Sequence, residues 1–420
     1  MNARNKLSLG SKADADLDPT FGDQGITVLP APTDYNSTDV FGIATAPDDS
    51  IFAAVTCDPS SRFGIAKLRP DGALDTDFGD RGFQVNPEMA AFRAELKVLS
   101  DGRILACYKP DGVLPRVLLR LTARGVPDAT FADFGMLPLE FGQHQLVDTD
   151  MIPLPDGGLV LMGGARHRED GALLGGMIVR LREDGTLDPI LDGTGFLHVP
   201  FNTEPDEIDY AGVIQVDKYV LASTIGKKAV IRRYLPGGEQ DISFGVDGQY
   251  VAPTVDGQAK FVGLLLSEKG RLIGVGNVLD ESGHGHGFLV GIDAEGLADM
   301  GFANGEAVYL RWRSETSLKQ AVFDDLGRIV VLGSYRSQIS AGVVIVARCT
   351  AEGMLDESFG AGGYIAVPMP TGFQDPRGLA IQGALGIVTS VWFQPLSGNP
   401  DETELAFLMR VPHSPINRAP

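Results

Sequence analysis

Six histidines, three cysteines and two tryptophans in 420 residues leave few groups for nucleophilic or metal chemistry. The densest cluster is E-S-G-H-G-H-G at 281–287. His284 and His286 stand two apart, so an extended backbone turns both imidazoles to one side, with Asp280 and Glu281 alongside. That set suits a divalent cation. A glycine-rich loop tip is the plainer reading of the same residues. His144, His167, His198 and His413 are scattered, with no H-E-x-x-H spacing. Asp14, Asp16 and Asp18 have the alternate spacing that opens a calcium loop, but Pro19 and Gly25 hold the places of its glycine and closing glutamate. An acidic N-terminal arm accounts for them. Trp312, between Arg311 and Arg313, is a ligand-binding candidate that could stack on a sugar or anchor a protein partner; packing on a neighbouring strand is the alternative. Trp392, in T-S-V-W-F-Q-P, reads as core. Neither G-x-S-x-G, a P-loop nor a dinucleotide fingerprint occurs. No catalytic residue and no cofactor are therefore assigned, with a divalent cation at His284 and His286 as the alternative.

Whatever positions these residues is repetitive. The template G-x-L-D-x-x-F-G-x-x-G recurs seven times, beginning at 15, 72, 125, 185, 238, 296 and 353. Its aspartate is Asp18, Asp75, Asp128, Asp188, Asp241, Asp299 and Asp356. Its aromatic is Phe21, Phe78, Phe131, Phe244, Phe302 and Phe359, with Leu191 in the fourth copy. The sixth copy ends on Glu306 in place of glycine. After each motif come a short extended run, a polar loop and three apolar strands, the first two joined by a tight turn such as S-D-G or P-D-G. Four strands per repeat of this length is a β-propeller blade.

The expected fold is all-β: a seven-bladed β-propeller with four antiparallel strands per blade. The chain opens with a lone strand, I-T-V-L-P, and closes with a triplet that no motif follows. The N-terminal strand should therefore complete the last blade, with Asp18 beside Arg410. Residues 1–14 read as an arm, 15–412 as one propeller domain and 413–420 as a tail. In this scheme the motif joins the third strand to the outermost one. Its aspartate accepts N–H groups two or three residues on, and its phenylalanine fills the gap between blades. A basic residue precedes the aspartate by eight positions at Lys67, Arg120, Arg180, Arg233 and Arg348. The fifth triplet has Gly291 there, so Asp299 is expected to stand without that partner.

The sevenfold motif resembles the delta-60 repeat proteins, a bacterial tandem-repeat family, over residues 15 to 411. The resemblance implies a β-propeller and carries no general activity.

A formal net charge of −20 excludes a general nucleic-acid binder and disfavours anionic membrane. No run is long and apolar enough to span a membrane, and no Sec-type signal is visible, so the default location is cytoplasmic, with export by another route open. Cys57, Cys107 and Cys349 read as buried hydrophobes. The first strands, such as F-V-G-L-L-L and L-A-I-Q, are mainly apolar, which argues against a polar catalytic funnel. The expectation is a monomeric, non-enzymatic scaffold that presents variable loops to a protein or carbohydrate partner. A lectin-like propeller and a metal-dependent hydrolase or lyase are the alternatives.

Overall fold

The computed structural model describes residues 17–110, 115–200, 210–253, 258–312, 315–337, 340–367, 372–395 and 405–413. They form antiparallel strands, with one short 3-10 turn at Ala303–Gly305 as the sole helical element among them. The second strand of each unit is apolar along its length, as in Ile51–Asp58 (IFAAVTCD) and Leu159–His167 (LVLMGGARH), and nearly every residue is buried. A β-branched, uninterrupted apolar run suits a strand covered on both faces. Those covers are neighbouring sheets: one cluster joins Val55 and Ala53 to Val388 and Leu408, and another joins Val330 and Val346 to Ile387 and Phe407.

Six hydrogen-bonded sheets result, four of them four-stranded. One sheet has seven strands, because Phe83–Val98 runs for 16 residues and pairs with Arg62–Leu68 through one half and Ile104–Pro110 through the other. A continuous extended backbone where a break was expected fuses two four-stranded groups. The first strands of successive units touch in chain order, and Ser37–Thr45 touches Gly372–Gln382 to close the circuit. Ile26–Val28 pairs antiparallel with Leu405–Val411, Ile26 opposite Met409, so the N-terminal strand does complete the last sheet.

The motif turns supply the joints. In all seven copies the aspartate's Oδ1 accepts the N–H two residues on, as from Thr20, Thr130 and Ser358. Oδ2 takes the basic partner eight residues back: Lys67 Nζ at 3.0 Å from Asp75, and Arg120, Arg180, Arg233 and Arg348 through Nε at 2.7–2.8 Å. Asp299 stands without a basic partner eight residues back, as Gly291 led one to expect. Arg271, in the turn before Leu272–Leu279, donates its Nε to Asp299 Oδ2. Gly291 cannot carry a side chain there, since a Cβ would lie 2.3 Å from that of Phe302.

The guanidinium also ties one sheet to the next. Nη1 of Arg120, Arg233, Arg271 and Arg410 donates to the carbonyls of Glu183, Ala294, Ala351 and Pro70 in the following unit. Beneath it lies the motif ring: Arg120 sits 4.5 Å above Phe131 and Arg348 4.5 Å above Phe359. The ring then meets the next motif's first glycine. A Cβ on Gly72 would fall 2.7 Å from Phe21, and one on Gly353 2.6 Å from Phe302. Both glycines also have positive φ, 81° and 86°, so the position requires glycine for two reasons.

Candidate functional site

A cleft of about 670 Å³ opens where the first strands of three consecutive units begin. Strand alternation builds it. In Gln258–Leu266, Ala259 is buried while Gln258 and Lys260 line the cleft; in Glu315–Phe323, Thr316 and Leu318 are buried while Glu315, Ser317 and Lys319 stand exposed. In Gly372–Gln382, Gln374 is buried while Phe373 and Asp375 line the wall. Asn277 and Leu279, Ser334 and Arg336, and Thr224 and Lys227 come from the next strands outward. β-Bulges lie just inside, between Phe261 and Gly263, Leu318 and Gln320, and Pro376 and Gly378. A bulge re-aims a side chain, and here it turns Lys319 and Arg377.

Four cations (Lys227, Lys260, Lys319, Arg336) and two carboxylates (Glu315, Asp375) line the cleft, in a chain whose acids exceed its bases by 20. Lys319 Nζ lies 3.6 Å from Asp375 Oδ1, and Arg336 Nη1 3.8 Å from Glu315 Oε2. These exposed pairs are weak, so an incoming anion can compete for either cation. Neutral donors and acceptors on Gln258, Asn277, Ser317 and Ser334 complete a surface suited to hydroxyl-rich ligands. Farther in, Arg377 bonds Asp39 at 2.7 Å and lies between the rings of Phe41 and Trp392. On the opposite arc, Lys97 Nζ donates to Met151 O at 2.9 Å and Asp150 Oδ2 accepts the Gly212 N–H at 2.8 Å. Burial pushes the Asp150 carboxyl up and the Lys97 ammonium down.

The expectation of an apolar funnel is corrected. The segments Q-A-K, E-T-S-L-K and F-Q-D-P-R are strand residues at the mouth, whereas a sequence reading assigns them to loops. Their alternation of buried and polar residues was the available signal.

The candidates named from sequence fall elsewhere or play other parts. Trp312 is 7% exposed, 5.5 Å from Tyr364 ring to ring, and its backbone N–H donates to Thr316 Oγ1. Arg311 is exposed over Tyr309, and Arg313 lies outside the described residues, as do Asp14 and Asp16. Around His284 and His286, Asp280 organises the turn. Its carboxylate accepts the Ser282 hydroxyl, the His284 N–H and, at 3.0 Å, His286 Nε2, which together hold it well below the usual carboxylate range. His284 Nδ1 is 2.6 Å from Ser282 Oγ. Among the described residues no group of three or more His, Cys, Asp or Glu is arranged to hold a metal ion. Gly283 and Gly285 of this loop border the cleft. Cys57, Cys107 and Cys349 are buried and free, and burial pushes each thiol up to about 12.

Residues 46–78 match a family model described as a domain of unknown function (DUF5122) beta-propeller. No curated protein matches the chain. Among solved structures, a polysaccharide lyase of a new family, an ulvan lyase, is similar at 12% identity with a TM-score of 0.52, covering 96% of each chain. The same enzyme bound to -[GlcA(1-4)Rha3S]- gives 0.51 at 12% identity over 96% of each chain. A protein of unknown function from Dyadobacter fermentans gives 0.43 at 13% identity, over 92% of this chain and 99% of that one. At such identities the likeness is one of fold, and the fold is a β-propeller. The expected non-enzymatic scaffold is overturned by this finding: the solved structure similar over nearly the whole chain is a polysaccharide lyase, so the fold supplies no ground for a purely display role. Among the described residues no helix is long and apolar enough to cross a membrane.

Proposed function

We propose that the chain is a seven-bladed propeller of the delta-60 repeat type, and that it is a carbohydrate-active protein whose cleft takes an acidic polysaccharide. Counting Phe83–Val98 once for each side it pairs gives seven groups, six of four strands and one of five, which supports seven blades. The observation that carries the functional reading is the cleft wall. Three adjacent strands and their neighbours hold four cations, Lys260, Lys319 and Arg336 among them, against the two carboxylates of Glu315 and Asp375, with neutral hydrogen-bonding side chains between, on a molecule that is otherwise strongly acidic. A polyanion is repelled by most of this surface and drawn to that one. The cleft draws on four consecutive units, a shape suited to a chain of sugars rather than one.

Catalytic β-elimination on the same polymer is the second reading, supported by the fold shared with an ulvan lyase. In it, Lys319 and Arg336 would neutralise a uronate carboxylate while a base takes the proton from the adjacent carbon, the carbon–carbon double bond forms and the C4–O glycosidic bond breaks, its oxygen leaving protonated. Calorimetric titration of the full chain with ulvan, alginate and neutral dextran tests both readings. Binding of an acidic polymer that weakens with added salt, and no binding of dextran, is expected. Equal binding of dextran, or none of any acidic polymer, would overturn the proposal. Growth of unsaturated-uronate absorbance decides for the lyase.

A further inference from the structure

Phe373 is 37% exposed and lines the cleft. Its ring is held rather than loose. It meets Trp392 edge-on, with centroids 5.9 Å apart at 68°, and the Arg377 guanidinium lies 5.3 Å from the centre of the Trp392 ring. Arg377 is fixed in turn by its 2.7 Å bond to Asp39 and by Phe41, 4.5 Å away. Gln374, the next residue, turns inward and accepts the Val344 N–H at 3.3 Å, which sets the strand so that Phe373 and Asp375 face the cleft. Beside them stands Lys319, 3.6 Å from Asp375. A rigid, supported aromatic ring next to an accessible ammonium is a two-part recognition surface.

We infer that Phe373 is the platform for one pyranose ring of the ligand, and that Lys319 reads the carboxylate or sulfate on that same ring; this rests on the acidic-polysaccharide reading of the cleft. The chemistry follows from the shapes. The C–H-bearing face of a pyranose is apolar and slightly positive, and an aromatic face is negative, so the two stack while the hydroxyls and the anion point outward at the edge. A neutral sugar satisfies Phe373 and leaves Lys319 with Asp375. A small inorganic anion satisfies Lys319 and leaves the ring wet. An anionic pyranose satisfies both.

The test uses the full chain and ulvan oligosaccharides, with titration calorimetry and tryptophan emission, since Trp392 touches the platform while Trp312 is buried elsewhere. Phe373→Ala is expected to weaken binding roughly tenfold or more, and Phe373→Trp to stay within about threefold of the parent, as for an aromatic anchor. Lys319→Ala should weaken binding and flatten its salt dependence, and inorganic sulfate should leave Trp392 emission unchanged. Unaltered thermal unfolding of Phe373→Ala separates lost contact from lost fold. If the parent binds and Phe373→Ala binds as tightly, the inference is overturned and the acidic-polysaccharide reading stands. If the parent binds no acidic oligosaccharide, both fall.

Discussion

Asp18 and Arg410 are 392 residues apart in sequence, and Arg410 Nε donates to Asp18 Oδ2 at 2.9 Å. The guanidinium is 3% exposed and reaches three further acceptors: Thr20 Oγ1, Gln382 Oε1 and the carbonyl of Pro70. One side chain thus joins the first motif, the last unit and the first full unit. Removing one partner of a buried pair costs about 3–5 kcal/mol, because the survivor is left uncompensated. Arg410→Ala should lose stability on that scale in urea unfolding, and more than the exposed pair variant Arg336→Ala, which should change little. Equal, small losses would mean that pairing of Ile26–Val28 alone closes the ring.

Arg271 makes a different kind of test. Its guanidinium reaches Asp299 from the turn before Leu272–Leu279 while Gly291 leaves room for Phe302. Arg271→Ala should destabilise by about 1–3 kcal/mol, the cost of an unsatisfied partly buried carboxylate. Gly291→Arg, which restores the spacing of the other repeats, should not rescue it and should itself destabilise, since its Cβ overlaps Phe302. Differential scanning calorimetry of the two single variants and the double variant decides this.

Acid should unlock the joints together. Burial pushes up the carboxyls of Asp18, Asp128, Asp188, Asp241 and Asp356, and their hydrogen bonds and nearby cations more than offset it, so each lies below its ordinary 3.8 in the folded chain. A group depressed by folding contributes stability that is complete above the unfolded value and is lost as pH falls through the folded one. Stability should hold near neutrality and fall steeply below about pH 4. Asp241→Asn should be less stable than the parent near neutrality and show a shallower acid slope. Urea midpoints measured from neutral pH downward check the sign.

Much of this was legible in the residues. Seven copies of one motif make the all-β fold, the turn chemistry and the Asp18–Arg410 juxtaposition readable, because a periodic pattern repeats its own evidence. What escaped the reading was whatever one copy does differently. Arg271 is hard to read as the partner of Asp299 because it lies 28 residues away, in the turn before Leu272–Leu279, although Arg328 stands at the same spacing from Asp356, at 3.6 Å. The cleft was missed because E-T-S-L-K and F-Q-D carry enough polar residues to look like loop, although Thr316, Leu318 and Gln374 are buried at alternate positions. Trp312 attracted attention by its type and its arginine neighbours, yet large aromatic area is as useful in a core as on a surface. Phe373 is one of many phenylalanines, and only its placement beside Trp392 and Lys319 distinguishes it.

The pairing of Ile26–Val28 with Leu405–Val411 also sets an order in time. During synthesis Ile26–Val28 leaves the ribosome long before Leu405–Val411, and at about 5–20 residues per second the 392 residues between Asp18 and Arg410 take roughly 20–80 seconds to appear. For that interval the growing chain carries unpaired strand edges at both ends of an incomplete circle. A neighbouring nascent chain could offer the same partner strand in the meantime, so the yield of closed monomer should depend on how closely ribosomes follow one another on the message.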